Sequence, residues 1–188
     1  MRQFSYLVGV TAAIGRLPSW ERYFDLSRRG LKISYISQIL TLPGLYLIAK
    51  FAAEGRAELL GVEADPVQLP AIGLIGLVYL MSFSAVAYIL SMVFEKQDRF
   101  RAWTIVRHWC VFFLVWIVAL GFGLFKINFI PLPAAYGMAF AAYLGLLFID
   151  IRLAQRIGGF DWGGATLAAC LITVTGLSLL LTGVSQFG

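Results

Sequence analysis

The sequence has 188 residues, of which 60% are hydrophobic and 13% charged, with a mean hydropathy of +0.83. Soluble domains carry roughly a quarter charged residues, so this composition excludes a solvated globule. Continuous apolarity over runs of about 20 residues excludes the alternating strands of a β-barrel. The net charge of +5 gathers at the ends of the apolar runs, with no basic stripe interleaved with aromatics, which argues against a nucleic-acid groove.

Residues 1–30 mix Phe4, Tyr6, Trp20, Tyr23 and Phe24 with Arg16, Arg22, Arg28 and Arg29. They have no uninterrupted apolar region ahead of a cleavage site, so no cleavable signal is expected. The segment reads as one or two short amphipathic helices at the headgroup level, separated at Pro18, or as a basic tail drawn to anionic lipid. A first span is expected over about 33–51, kinked at Pro43-Gly44, followed by a polar loop over 54–69 with Glu54, Glu58, Glu63, Asp65 and Pro66. The second span covers about 70–94, and a charged turn from Glu95 to Arg101 leads into the third, about 103–125. A hairpin over 126–133 precedes the fourth span, about 131–153, and Gly158-Gly159 breaks the chain before the fifth, about 165–184. The expected fold is therefore an all-α polytopic bundle: an interfacial segment, 1–30, and a five-span transmembrane domain, 31–188.

Twelve of the fifteen Lys and Arg residues fall on one side of these spans; Lys50, Arg56 and Lys126 fall on the other. The positive-inside rule then puts the N-terminus in the cytoplasm and the C-terminus on the periplasmic side of a bacterial inner membrane. Trp20, Trp103, Trp109 and Trp162 are expected as an aromatic belt at the basic boundary. Cys110 and Cys170 fall inside spans and read as buried apolar thiols.

Few residues could carry chemistry. His108 is the single histidine and cannot hold a metal alone. Arg107-His108-Trp109 reads as an interfacial triplet that snorkels and bonds to the neighbouring turn. Asp150, near the end of the fourth span, needs a cationic partner, and Arg107, Arg152 and Arg156 are the candidates. Gly137, Ala141 and Gly145 recur every four residues and offer a face for close helix approach, as do Ala165 and Ala169, although small residues are also common in spans. Thr166, Thr173, Thr175, Ser178 and Thr182 most often bond to the preceding turn. The chain has no Walker A loop, G-x-S-x-G, H-E-x-x-H or C-x-x-C motif, so no enzymatic activity and no cofactor are expected.

Asp98-Arg99-Phe100-Arg101 before the third span, Arg107-His108-Trp109 at its opening and the hairpin prolines Pro131 and Pro133 give residues 95–187 a likeness. The chain resembles bacterial Yip-like five-span membrane proteins. It lacks the Asp-Leu-Tyr-Gly-Pro type motif of eukaryotic members. The resemblance implies a non-enzymatic protein that organises membrane partners or bilayer. Together these readings point to a non-catalytic membrane subunit or scaffold whose partners are lipid and other membrane proteins or copies of itself. A small transporter or channel subunit is the alternative, and a membrane-embedded lipid-acting enzyme the third.

Overall fold

The computed structural model describes the backbone of residues 2–15, 17, 19–63 and 67–187. Arg16, the separating Pro18, Asp65, Pro66 and Gly188, with the side chains of Arg2 and Phe4, lie outside the described residues. Helix is the only regular structure among the described residues: α1 Arg2–Ile14, a 3-10 turn Trp20–Tyr23, α2 Arg28–Ile39, α3 Leu42–Leu60, α4 Leu69–Val93, α5 Gln97–Lys126, α6 Leu132–Arg156 and α7 Trp162–Phe187. Five stretches are long and apolar enough to cross a membrane: Arg28–Leu60, Leu69–Val93, Gln97–Lys126, Leu132–Arg156 and Trp162–Leu180. These are the marks of an integral membrane protein.

Two expected boundaries move. The first span is two helices, α2 and α3, meeting at Leu40–Thr41. Pro43 has no N–H for the Ile39 carbonyl and its ring excludes that carbonyl, so it begins a new helix instead of kinking an old one. The helix then runs on to Leu60, carrying Glu54 and Glu58 on its last turns, so the polar loop begins only at Gly61. Similarly, the charged turn before the third span shrinks to Phe94–Lys96, and Asp98, Arg99 and Arg101 lie on the first turns of α5. Asp98 sits where a helix N-terminus favours negative charge.

The 30 residues of α5 extend about 45 Å, some 15 Å more than a hydrocarbon core. The helix is the hub of the fold. It touches α1, α2, α3, α4 and α6, while α7 closes a four-helix ring by packing on α4 and α6. Nine consecutive residues of α5, Trp103 to Val111, are buried. Only a helix with neighbours on all sides buries every position.

The main core gathers at the basic end: Trp20 and Phe24, Trp103 and Val106 of α5, Leu153 of α6 and Phe160. Trp20, Trp103 and Trp109 are core residues here, with Trp103 fully buried, so the expected belt reduces to Trp162, which is 59% exposed. Helix α1 docks on α5 and α6, and Arg156 holds it there by donating to the carbonyls of Ala12 at 3.1 Å, Ala13 at 3.0 Å and Leu17. Ala12 and Ala13 lie in the last turn of α1, whose carbonyls lack the full set of intrahelical partners, and Leu17 lies just beyond it. At the start of α2, Ser27 caps the helix by accepting from Arg29 N at 3.1 Å and Gly30 N at 3.4 Å. Gly30 leaves room for the preceding turn, since a Cβ there would overlap the backbone carbonyl of Asp25.

The opposite end is more open. Lys126 and Glu54 pair there at 2.6 Å. Between the two ends an apolar groove of about 180 Å³ is lined by Leu45, Val118 and Ala142 of α3, α5 and α6, with Tyr79 of α4 and Leu180 of α7.

Candidate polar centre of the bundle

Helix α2 turns its polar side inward. Ser34, Ser37, Gln38 and Thr41, spaced i, i+3, i+4 and i+7, are fully or almost fully buried, while Ile36, Ile39 and Leu40 are more than half exposed. In water this arrangement would be inside out. In hydrocarbon, apolar side chains face lipid and polar ones join helices. Thr41 and Ser37 donate to the carbonyls of Ser37 and Ser34 at 2.8 and 2.7 Å, and Gln38 Nε2 donates to the His108 carbonyl at 2.8 Å.

The consecutive residues Arg107 and His108 of α5 point about 100° apart and so serve two different interfaces. Phe83 and Ser84 of α4 do the same. On one side His108 is fully buried, with Nδ1 3.0 Å from Ser34 Oγ and Nε2 3.1 Å from Ser84 Oγ. The Ser34 hydroxyl spends its one proton on the Leu31 carbonyl at 2.8 Å. With that proton spent, Nδ1–H donates to Ser34, and in the neutral ring Nε2 accepts from Ser84. The ring ties α5 to both α2 and α4.

On the other side Arg107 reaches Asp150 of α6 through Nε at 3.1 Å and an Nη at 3.4 Å. The side chains are 4% and 1% exposed. The guanidinium carbon lies 4.3 Å from the centroid of the Phe83 ring, a cation–π contact that covers the rest of the charge. The pair borders a cavity of about 20 Å³ inside the four-helix ring, lined by Tyr79 and Ser82 of α4, Tyr143 of α6 and Thr173 of α7. That is room for about one water. Gly176 lets α7 close over it, because a Cβ there would come 2.9 Å from the Tyr79 ring.

Among the candidates for Asp150, the structure brings Arg107 to it; Arg156 is engaged with α1, and Arg152 makes no ion pair among the described residues. The triplet does not snorkel: Arg107, His108 and Trp109 are all buried, because α1, α2, α4 and α6 surround this turn of α5. Ala165 and Ala169 are fully buried, on helix interfaces. Gly137 and Ala141 are exposed, and neither Gly137 nor Gly145 would bring a Cβ within 4 Å of a neighbouring helix, so this face of α6 has no partner among the described residues. Cys110 is buried, but Cys170 is exposed on the outside of α7, where neighbouring helices leave it uncovered, and both thiols are free.

Sequence reasoning did not find Ser34, Gln38 or Ser84 as partners of His108, nor Tyr79 beside the ion pair. Three polar residues at helical spacing on α2, with Thr41 just past its end, were the available signal. Among the described residues no three His, Cys, Asp or Glu side chains come together as a metal site. The chain matches no family model, no curated protein and no solved structure.

Proposed function

We propose that this chain is a non-catalytic membrane subunit or scaffold of the bacterial inner-membrane type, akin to Yip-like proteins. Its basic end faces the cytoplasm and its C-terminus the periplasm, and it packs against a partner membrane protein or a second copy through the outer face of α6. The carrying observation is the contrast between the two faces of that helix. Inward, Asp150 is taken up by Arg107 beside a cavity with room for one water. Outward, Gly137, Ala141 and Gly145 present a small-residue surface, and a Cβ at either glycine would meet nothing within 4 Å. Membrane helices associate through such surfaces by close backbone approach.

Gly145→Leu tests this. A Cβ there meets nothing within 4 Å, so thermal stability of the monomer in detergent is expected to stay within about 0.5 kcal/mol of wild type. Copurification of the partner, or crosslinking between copies, is lost. A complex that survives Gly145→Leu and Ala141→Leu unchanged overturns the reading and leaves this face to lipid. A second reading, a small transporter, draws support from the hydroxyls of Tyr79, Ser82, Tyr143 and Thr173 around the ion pair. It requires that Asp150→Asn abolish solute flux in proteoliposomes while the variant still folds.

A further inference from the structure

The first thirty residues build more than a docked arm. Between α1, the Trp20–Tyr23 turn and the start of α2 lies a cleft of about 370 Å³, within the size range of small-ligand sites. Tyr6, Phe24 and Ile33 give part of its lining an apolar surface. The Tyr6 ring stacks on Trp109 of α5 with centroids 4.1 Å apart, which ties the lining to the stretch of α5 where the third span begins. Its rim is cationic. Arg22 donates to the Tyr23 hydroxyl at 2.8 Å and stands 4.8 Å from the Tyr23 ring centroid, so it is positioned without being neutralised. Arg29 faces the same cleft from the first turn of α2.

Among the described residues neither guanidinium has an ion-pair partner. Among the described residues Asp25 is the one carboxylate lining the cleft, and it accepts the Ser27 N–H at 3.0 Å. In the sequence between residues 20 and 33, Arg28 and Lys32 add to Arg22 and Arg29, against Glu21 and Asp25. The local balance stays positive.

We propose that this cleft binds the headgroup of an anionic glycerophospholipid, with its phosphate between Arg22 and Arg29 and its glycerol over Tyr6, Phe24 and Ile33. Two arginines alone would suit any phosphate. Apolar side chains in the same lining, beside the stretch of α5 where the third span begins, suit a phosphate that carries a greasy tail. The proposal is independent of the α6 reading, since the two sites share no residue.

The test uses the full chain in detergent micelles. Phosphatidylglycerol and phosphatidylcholine with the same acyl chains are titrated against it, and bound lipid is counted by native mass spectrometry. Inorganic phosphate and glycerol phosphate serve as soluble competitors. Phosphatidylglycerol binds more tightly, and Arg22→Gln/Arg29→Gln weakens that preference by roughly tenfold, the scale expected for two charges near a lipid surface. Arg99→Gln, an exposed arginine already paired with Asp98, leaves the preference intact. The single variant Arg29→Gln gives a smaller loss and serves if the double variant fails to fold. An unchanged preference in the arginine variants, an equal loss in Arg99→Gln, or competition by inorganic phosphate at concentrations similar to the lipid overturns the proposal.

Discussion

Replacing Asp150 by Asn leaves the Arg107 guanidinium buried without its counter-charge. The two side chains are 4% and 1% exposed, and the bordering cavity of about 20 Å³ has room for one water. That water could replace one lost bond of the two, at 3.1 and 3.4 Å, and the new amide would keep a neutral acceptor for the other. Breaking a buried pair by removing one partner costs about 3–5 kcal/mol. The Phe83 ring still faces the cation at 4.3 Å, so the lower end, about 3 kcal/mol, is expected here. Unfolding by SDS titration in mixed micelles, followed by tryptophan fluorescence, reads this directly. The double variant Arg107→Met/Asp150→Leu removes both charges at similar volume and returns the protein to within about 1 kcal/mol of wild type or above it. A loss below about 1 kcal/mol for Asp150→Asn, with the double variant no more stable than the single, would mean that the pair is solvated and would refute the argument.

Gly30→Ala places a Cβ against the Asp25 carbonyl, so the turn before α2 must open. A loss on the order of 2–3 kcal/mol is expected in the same titration, and an unchanged midpoint would mean that the turn yields freely. His108→Leu removes the partner of two buried hydroxyls, with an expected cost of about 1–3 kcal/mol. Before any substitution, nitrogen chemical shifts of labelled His108 report a neutral ring protonated at Nδ1; the Nε2–H tautomer contradicts the assignment of Ser34 as acceptor.

The five spans were legible because hydrocarbon demands long apolar helices, and hydropathy measures that demand directly. Their ends were not. Asp98, Arg99 and Arg101 look like loop residues, yet the helix runs through them because Trp103 and Phe100 behind them pack into the basic-end core. Asp150 announced itself as an acid in need of a cation, and Arg107 was one of three within reach by sequence. Choosing among them required knowing that Arg156 is spent on the carbonyls at the end of α1. The stripe Ser34, Ser37, Gln38 and Thr41 went unread because polar residues at helical spacing signal a wet face in soluble proteins and a buried one in membranes. Glycine spacing misled in a similar way. Gly137 and Gly145 stand over empty space, whereas Gly30 and Gly176 meet the Asp25 backbone and the Tyr79 ring. Spacing marks a face but does not say what lies opposite it.

Everything proposed for this chain rests on five crossings with the basic end in the cytoplasm. Paired reporters, one active only in the cytoplasm and one only after export, decide it when fused before Met1, within the Asp98–Arg101 turns of α5, after Asn128 and after Gly188. The account predicts cytoplasmic activity at the first two sites and exported activity at the last two. Cytoplasmic activity after Gly188 would mean an even number of crossings, and exported activity at residues 98–101 would invert the bundle; either result contradicts it.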